Sequence, residues 1–180
     1  MKNKKIMRYV ALIVAAVLIV IDQIIKKAVV DRFERVGESV NLLKIGDTEI
    51  LNFTYHLNDG AAFGFFGGKQ IFLIIIVSAV LIGLIWYLLS GKLIGRWHTI
   101  ATTLIIAGGG GNLVDRIFNN GLVVDYIHLE FLNFPIFNFA DICAVLGCFG
   151  LFILIVLDDV MDVRHSKEKA QKDEVKSDES

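Results

Sequence analysis

Proline occurs once in this 180-residue chain, cysteine twice, and the formal net charge is only -1. So little proline leaves long helices free of kinks, since an interior proline removes a hydrogen bond and clashes with the preceding turn. Cys143 and Cys148 share one apolar run, and on a helix their spacing points them to different sides, which does not suit a disulfide. No CxxC pair or His/Cys cluster with metal-ligand spacing occurs, so both cysteines read as small packing residues and no metal or cofactor is expected. Nucleic-acid binders carry a basic surplus, and none is present. Charge is also missing from long stretches of the chain. Hydrophobic residues make up 55% of it and the mean hydropathy is +0.63. Soluble domains lie nearer about 45–50% apolar, so the excess points to lipid. The length suits one domain.

Crossing a bilayer core of about 30 Å takes roughly 20 apolar residues in a helix. Four runs come near this: Tyr9 to Ile25, interrupted by Asp22; Ile71 to Leu89, without charge; the short, glycine-rich Thr99 to Val114; and Ile142 to Leu157. No A-x-A-like cleavage site follows the first run, and Lys26 and Lys27 follow instead, so it reads as a retained helix. The expected fold is a mainly α membrane protein with four transmembrane helices. Basic residues in short loops set the orientation. Lys2, Lys4, Lys5 and Arg8 precede the first run, and Lys92 and Arg96 separate the second from the third. Both termini are therefore expected in the cytoplasm, with segments 31–68 and 115–140 facing outward. Arg32, Arg35 and Lys44 run against that count.

The outer segment 31–68 is expected to form a small β-sheet subdomain at the membrane surface. Glu49-Ile-Leu-Asn-Phe-Thr-Tyr-His56 alternates as a strand with one buried face, and Val36 to Leu43 is its expected partner. The membrane domain is placed at 1–161. The tail, 162–180, mixes both charges and lacks aromatics, so it reads as a frayed helix end followed by disorder.

A charge inside a span costs about 2.5–3.5 kcal/mol on insertion scales, so each one needs a partner or a task. Asp22 and Lys26 are four apart and share a helix face, as a structural ion pair or as the lining of a cleft. Gly108-Gly-Gly-Gly-Asn112-Leu-Val-Asp115-Arg116 closes the third run. Its glycines allow another backbone close, as a packing groove would need, but a groove does not explain Asn, Asp and Arg together beside it. Asn58-Asp-Gly-Ala-Ala-Phe63 is an ordinary turn by itself; Ala61 and Ala62 would suit a short outer loop that dips toward the bilayer against protein. Val123-Val124-Asp125-Tyr126 and Phe137-Asn138-Phe139-Ala140-Asp141 each place a carboxylate at the outward side. Two acids that packed helices bring together cannot both ionise easily, so the pair retains a proton. One then takes a proton from an attacking water and the other donates to a carbonyl oxygen. Ser78 stands alone, and His56, His98, His128 and His165 are scattered, so neither a Ser/His/Asp nor a zinc site is supported. His98 beside Trp97 suits an interface anchor, and His128 a surface position.

Five blocks, read in order, resemble those of the lipoprotein signal peptidases (signal peptidase II). They are Asp22-Gln-Ile-Ile-Lys26, Asn58-Asp-Gly-Ala-Ala-Phe63, Gly111-Asn-Leu-Val-Asp-Arg116, Val123-Val-Asp-Tyr126 and Phe137-Asn-Phe-Ala-Asp141. The resemblance covers roughly residues 10 to 157 and implies an aspartic endopeptidase of the bacterial cell membrane. It makes Asp125 and Asp141 the catalytic dyad. Asp22, Lys26, Asn58, Gly60, Gly108, Asn112, Arg116, Asn138 and Ala140 fall where the family lines and steadies its site. It implies a diacylglyceryl-modified prolipoprotein as substrate, cut just before the lipidated cysteine, with membrane lipids around it and globomycin-type inhibitors as further ligands. Tyr126 stands where Phe is commoner in the family, and Asp59 fills a variable slot and adds a third outer acid.

Two other classes compete. A small proton-coupled transporter would also hold intramembrane acids and glycine-rich helices, but it should show inverted repeats and acids near the midplane. No repeat is visible. A non-catalytic assembly protein would not need two carboxylates flanked by Asn112, Arg116 and Asn138.

Overall fold

The computed structural model describes residues 2–60, 70–91, 95–132 and 134–178. Ala61, Ala62 and Phe63, expected to form the dipping loop, lie outside them. Four helices, α1 (Lys2–Arg32), α2 (Gln70–Ser90), α3 (Gly95–Phe118) and α4 (Phe139–Asp178), pack together with α3 against each of the other three. Three strands, β1 (Ser39–Ile45), β2 (Thr48–Asn58) and β3 (Val123–Leu129), form one antiparallel sheet with β2 in the middle.

Among the described residues, three helices are long and apolar enough to cross a membrane: Lys5–Arg32, Gln70–Ser90 and Phe139–Val163. The expectation of four spans meets a different kind of helix in α3. Its threonines, four glycines, Asn112, Asp115 and Arg116 lower its hydropathy. They are tolerable there because α3 packs against α1, α2 and α4 and buries a long list of its residues, from His98 to Asp115. The lipid-facing helices show the opposite pattern: Ile71, Ile82 and Trp86 of α2 and Val145, Phe149 and Phe152 of α4 are exposed. Hydrophobic side chains point outward because the surrounding solvent is lipid, and the polar groups turn inward.

Glycine sets how closely α3 and α4 approach. A methyl group on Gly108 would overlap the Ala140 carbonyl and the Ala144 backbone nitrogen, and one on Gly147 would overlap the Ala101 carbonyl. Backbone contact on both sides leaves no flexible side chain to yield, as in small-residue packing of membrane helices generally.

The strand Glu49–His56 is present within β2, and its partner is β1, shifted to Ser39–Ile45 from the expected Val36–Leu43. Gly37, at φ +94, lies in the turn that precedes it. The third strand is the larger departure. Asp125 was expected from packed helices and instead sits on β3, opposite His56 in the β2–β3 register. The chain turns out of α3 through Asn120 (φ 51) and Gly121 (φ 85), with the Gly121 N–H donating to the Arg116 carbonyl at 3.0 Å. This left-handed C-terminal cap stops the helix and sends the chain back as a strand. Phe33 of the chain leaving α1, Phe53 of β2 and Tyr126 of β3 stack in sequence, at 6.3 and 5.2 Å between ring centres, and so seat the sheet on the end of α1.

Beyond residue 161, α4 continues as helix to Asp178 through a run in which Lys and Glu, both good helix formers, recur. Two further expectations change. His98 is not an exposed anchor; it is buried, and its Nε2 lies 3.0 Å from Asp158 Oδ2, tying α3 to α4. Cys143 packs inside, whereas Cys148 is exposed on the lipid-facing side.

Candidate active site

The short segment 137–141 assembles the site. Phe137 bridges to β3: its N–H donates to the Ile127 carbonyl at 3.1 Å, and its carbonyl accepts from Ile127 N–H at 2.8 Å. This pairing holds the start of α4 against the strand that carries Asp125. Asn138 then occupies the N-cap of α4. Its Oδ1 accepts from the Asp141 N–H at 2.9 Å, while the Asp141 Oδ2 accepts from the Asn138 N–H at 3.0 Å. This is a reciprocal capping box.

A helix start leaves its first N–H groups without intrahelical partners. Here each finds a side-chain acceptor from a different element. Phe139 N–H donates to the Tyr126 hydroxyl of β3 at 3.1 Å, Ala140 N–H to Asp22 Oδ1 of α1 at 3.0 Å, and Asp141 N–H to Asn138. Asp141 is thereby fixed from three sides.

Asn138 is fully buried, and its amide Nδ2 donates to Asp125 Oδ1 at 2.7 Å and to Asn112 Oδ1 at 3.0 Å. Asn112 Nδ2 donates to Asp141 Oδ1 at 2.7 Å. Asn58, at the end of β2, donates its Nδ2 to Asp125 Oδ2 at 2.8 Å, and its Oδ1 accepts from the Gly60 N–H at 2.8 Å. That turn needs φ +89 at Gly60, where a side chain would be strained and would also overlap Leu73. Both carboxylates therefore receive amide donors, and one asparagine touches the pair. Burial pushes the Asp125 carboxyl up to about 7; the Asn58 hydrogen bond opposes the rise, the like charge of Asp141 adds to it, and Asn138 and Lys26 oppose it further.

Beneath the pair lies a buried charge triad. Lys26 Nζ is 2.8 Å from Asp22 Oδ2 and 2.9 Å from Asp115 Oδ2, and it donates to Asn112 Oδ1 at 3.0 Å. That last bond fixes the Asn112 amide with its NH2 end toward Asp141. Asp115 Oδ2 also accepts from the Val124 N–H at 3.1 Å, which anchors the strand one residue before Asp125. Arg116 donates Nη1 to the Asn112 carbonyl at 3.2 Å, and its buried Nε has no partner among the described residues. A methyl on Gly111 would overlap Asp22 Oδ2, and Ala140 packs against the same spot.

All eleven expected site residues thus converge on one region, Gly108 through the close helix contact and the rest through hydrogen bonds or ion pairs. Two residues outside the expected set join them. Gln23 donates Nε2 to Asp115 Oδ1 at 2.8 Å and to the Gly111 carbonyl at 3.2 Å. Its place beside Asp22, inside an apolar run, was the available signal. Asp115, expected beside Arg116 alone, proves to be a hub for Lys26, Gln23 and β3. A cavity of about 360 Å³ opens from Asp141, walled by Leu129, Phe134, Phe137, Ile142 and Leu146 among others. Among the described residues no His/Cys/Asp/Glu group could hold a metal ion.

The chain matches the model of the family described as signal peptidase (SPase) II over residues 14–157. It is 42% identical over 156 residues to the lipoprotein signal peptidase of Lactococcus lactis subsp. lactis, covering 84% of this chain and 96% of that one. The lipoprotein signal peptidase of Streptococcus pneumoniae is 35% identical over 153 residues, covering 85% and 96%. A bacterial membrane enzyme solved at 2.3 Å by the in meso method superposes with a TM-score of 0.72 at 31% identity, covering 85% of this chain and 90% of that one.

Proposed function

The chain belongs to the signal peptidase II family of aspartic peptidases, and from that premise we propose that Asp125 and Asp141 form the dyad that cleaves a lipid-modified precursor just before its lipidated cysteine. The observation that carries this reading is Asn138, whose amide and backbone N–H donate to the two carboxylates.

Asp125 holds the shared proton at rest, consistent with its raised affinity for one, and Asp141 is the ionised partner. Water between them gives a proton to Asp141 as its oxygen attacks the scissile carbonyl carbon. Asp125 gives its proton to the carbonyl oxygen, which makes a neutral gem-diol. The C–N bond then breaks. Asp141 returns a proton to the departing amine of the cysteine, and Asp125 recovers one from a diol hydroxyl. The signal peptide leaves as a carboxylic acid and the lipoprotein keeps a free amino terminus. Arg116, which interacts electrostatically with both Asp125 and Asp141, supplies fixed positive charge, and its Nε is buried without a partner among the described residues.

The substrate's lipid stays in the bilayer. The apolar cavity beside Asp141 suits hydrophobic parts of the precursor, and a route open sideways to lipid brings the peptide to the dyad without leaving the membrane. The loop after Gly60 would clamp the peptide from the side opposite the sheet, and globomycin-type inhibitors would occupy the same cleft. In this reading α3 is the fourth span and both termini are cytoplasmic. The dyad lies near the outer face of the bacterial membrane, and residues 1–161 form the peptidase domain.

The test is a gel-shift assay with a diacylglyceryl-modified precursor and the purified full chain. Cleavage before the modified cysteine, with none for the unmodified precursor, is the expected result. Equal turnover of both precursors would overturn the substrate assignment.

A further inference from the structure

A second recess lies between α1 and α3 at the end of the bundle away from the dyad. It has a volume of about 270 Å³, and Val10, Ala11 and Val14 of α1 face Ile100, Thr103 and Leu104 of α3 across it. The spacing on each helix follows i, i+3, i+4, so the recess runs as a groove along the two axes rather than as a closed hole. Its threonines do not make it polar. Thr99 Oγ1 donates to the Gly95 carbonyl at 3.1 Å and Thr103 Oγ1 to the Thr99 carbonyl at 2.7 Å, so the hydroxyls are turned back onto the helix. What remains is an apolar channel of acyl-chain character. At its mouth the lining ends in a single charged side chain, Arg96. Arg96 is exposed, lies 4.9 Å from the Trp97 ring centre and makes no ion pair among the described residues. Arg8 and Lys5 belong to the same end of α1, and the Arg8 Nη1 donates to the Leu89 carbonyl at 3.1 Å.

An apolar slot that opens beside a tryptophan, beneath a guanidinium with no ion pair among the described residues, has the two ends of a phospholipid as its complement. The tail needs no polar partner, and the cation needs an anionic one; planar guanidinium matches phosphate in a two-pronged geometry. We propose that the α1/α3 groove is a binding site for an anionic phospholipid, with one acyl chain along Val10, Val14 and Leu104 and its phosphate on Arg96. Nothing in this assignment depends on the peptidase mechanism or on which leaflet the termini face. A zwitterionic lipid fits the slot equally well but offers Arg96 a phosphate already neutralised by its own cation.

Quenching of Trp97 by brominated acyl chains reads the site directly. The full chain carrying Trp86→Phe, so that Trp97 is the only tryptophan, is placed in vesicles with equal mole fractions of brominated phosphatidylglycerol or brominated phosphatidylcholine. Relative association is expected to favour phosphatidylglycerol by about fivefold, the factor one basic side chain near an anionic headgroup contributes at about 1 kcal/mol. Arg96→Gln should reduce the ratio to about one. Val10→Phe, at an exposed lining position, should reduce it with the charge intact, because it fills the slot. Both variants keep the helical circular dichroism of the parent. Equal quenching by the two lipids in the parent overturns the proposal, as does a preference that survives both substitutions. So would a disulfide-linked dimer formed through Val10→Cys, which would make the groove a contact between two copies of the chain.

Discussion

Asn138 and Asp141 cap one another, the N–H of each donating to the side-chain oxygen of the other at 3.0 and 2.9 Å. A capping box is a common way to start a helix, yet here one half is a member of the proposed dyad and the other half holds the second acid, Asp125, through its amide. Fold and site are therefore coupled in a single turn. Two substitutions separate them. Asn138→Ala removes both cap oxygen and amide donor, and should lower stability by about 1–2 kcal/mol while reducing precursor cleavage at least 100-fold. Asn138→Ser keeps an oxygen for the Asp141 N–H but has no amide for Asp125. Thermal unfolding of Asn138→Ser should return toward the parent while cleavage stays low. Recovery of both together would show that the cap alone matters.

Asp125→Asn and Asp141→Asn should each abolish cleavage, about 10³-fold or more on the scale of lost acid–base catalysis, with membrane insertion unchanged. The raised Asp125 carboxyl adds a pH signature. Its folded value, about 7, lies above the ordinary 3.8. Between those limits the folded protein binds more protons than the unfolded one, so this group's contribution to stability is greatest below about pH 4 and is lost as pH rises through 7. Parent protein should therefore unfold at a higher temperature at pH 5 than at pH 8, and Asp125→Asn should narrow that difference. Cleavage by the parent should decline above about pH 7 as the shared proton is lost. A pH–rate profile flat from pH 6 to 9 would argue against Asp125 as the proton holder.

Neighbouring glycines of α3 should behave differently. At Gly108 a methyl meets the Ala140 carbonyl and Ala144 backbone, neither of which can swing aside. At Gly109 it meets only the Leu81 side chain, at 3.0 Å. Gly108→Ala should push α4 away from α3, destabilise by about 1–3 kcal/mol and displace Asp141 enough to reduce cleavage strongly. Gly109→Ala should leave activity near the parent level. Parallel melting curves and cleavage assays distinguish the two positions, and equal losses would remove the close helix contact as the cause.

Much of this architecture was legible in the residues. The charge of Asp22 and Lys26 inside an apolar run forced a partner, and the pair is there. Alternation through Glu49–His56 marked a strand. The third strand is harder to see because the acid in Val123–Leu129 masks its β-branched and aromatic content, Val, Val, Tyr and Ile, after the Asn119-Asn120-Gly121 turn. The span count was ambiguous for a physical reason: α3 is shielded by its neighbours, so it does not need the hydropathy that a lipid-facing helix does. Capping of Phe139 by the Tyr126 hydroxyl was out of reach, since it depends on a strand-to-helix juxtaposition that no local pattern encodes.

Lys26 tests how far the dyad depends on what lies beneath it. Its Nζ contacts Asp22, Asp115 and Asn112 and is almost wholly buried. Lys26→Met removes the cation that bridges two buried carboxylates, and breaking a buried pair in this way costs about 3–5 kcal/mol. It also frees the Asn112 amide to rotate, so Asp141 loses a directed donor. Both stability and cleavage should fall steeply. Asp115→Asn is milder in charge, since Asp22 still faces Lys26 and an amide oxygen can accept from the Val124 N–H. It should destabilise clearly but retain measurable turnover, unlike Asp125→Asn. The comparison is made at a temperature well below the melting point of either variant, where folded protein dominates. If Asp115→Asn is then as inactive as Asp125→Asn, the carboxylate beneath the strand takes part in the chemistry, and its role cannot be confined to holding β3 in place.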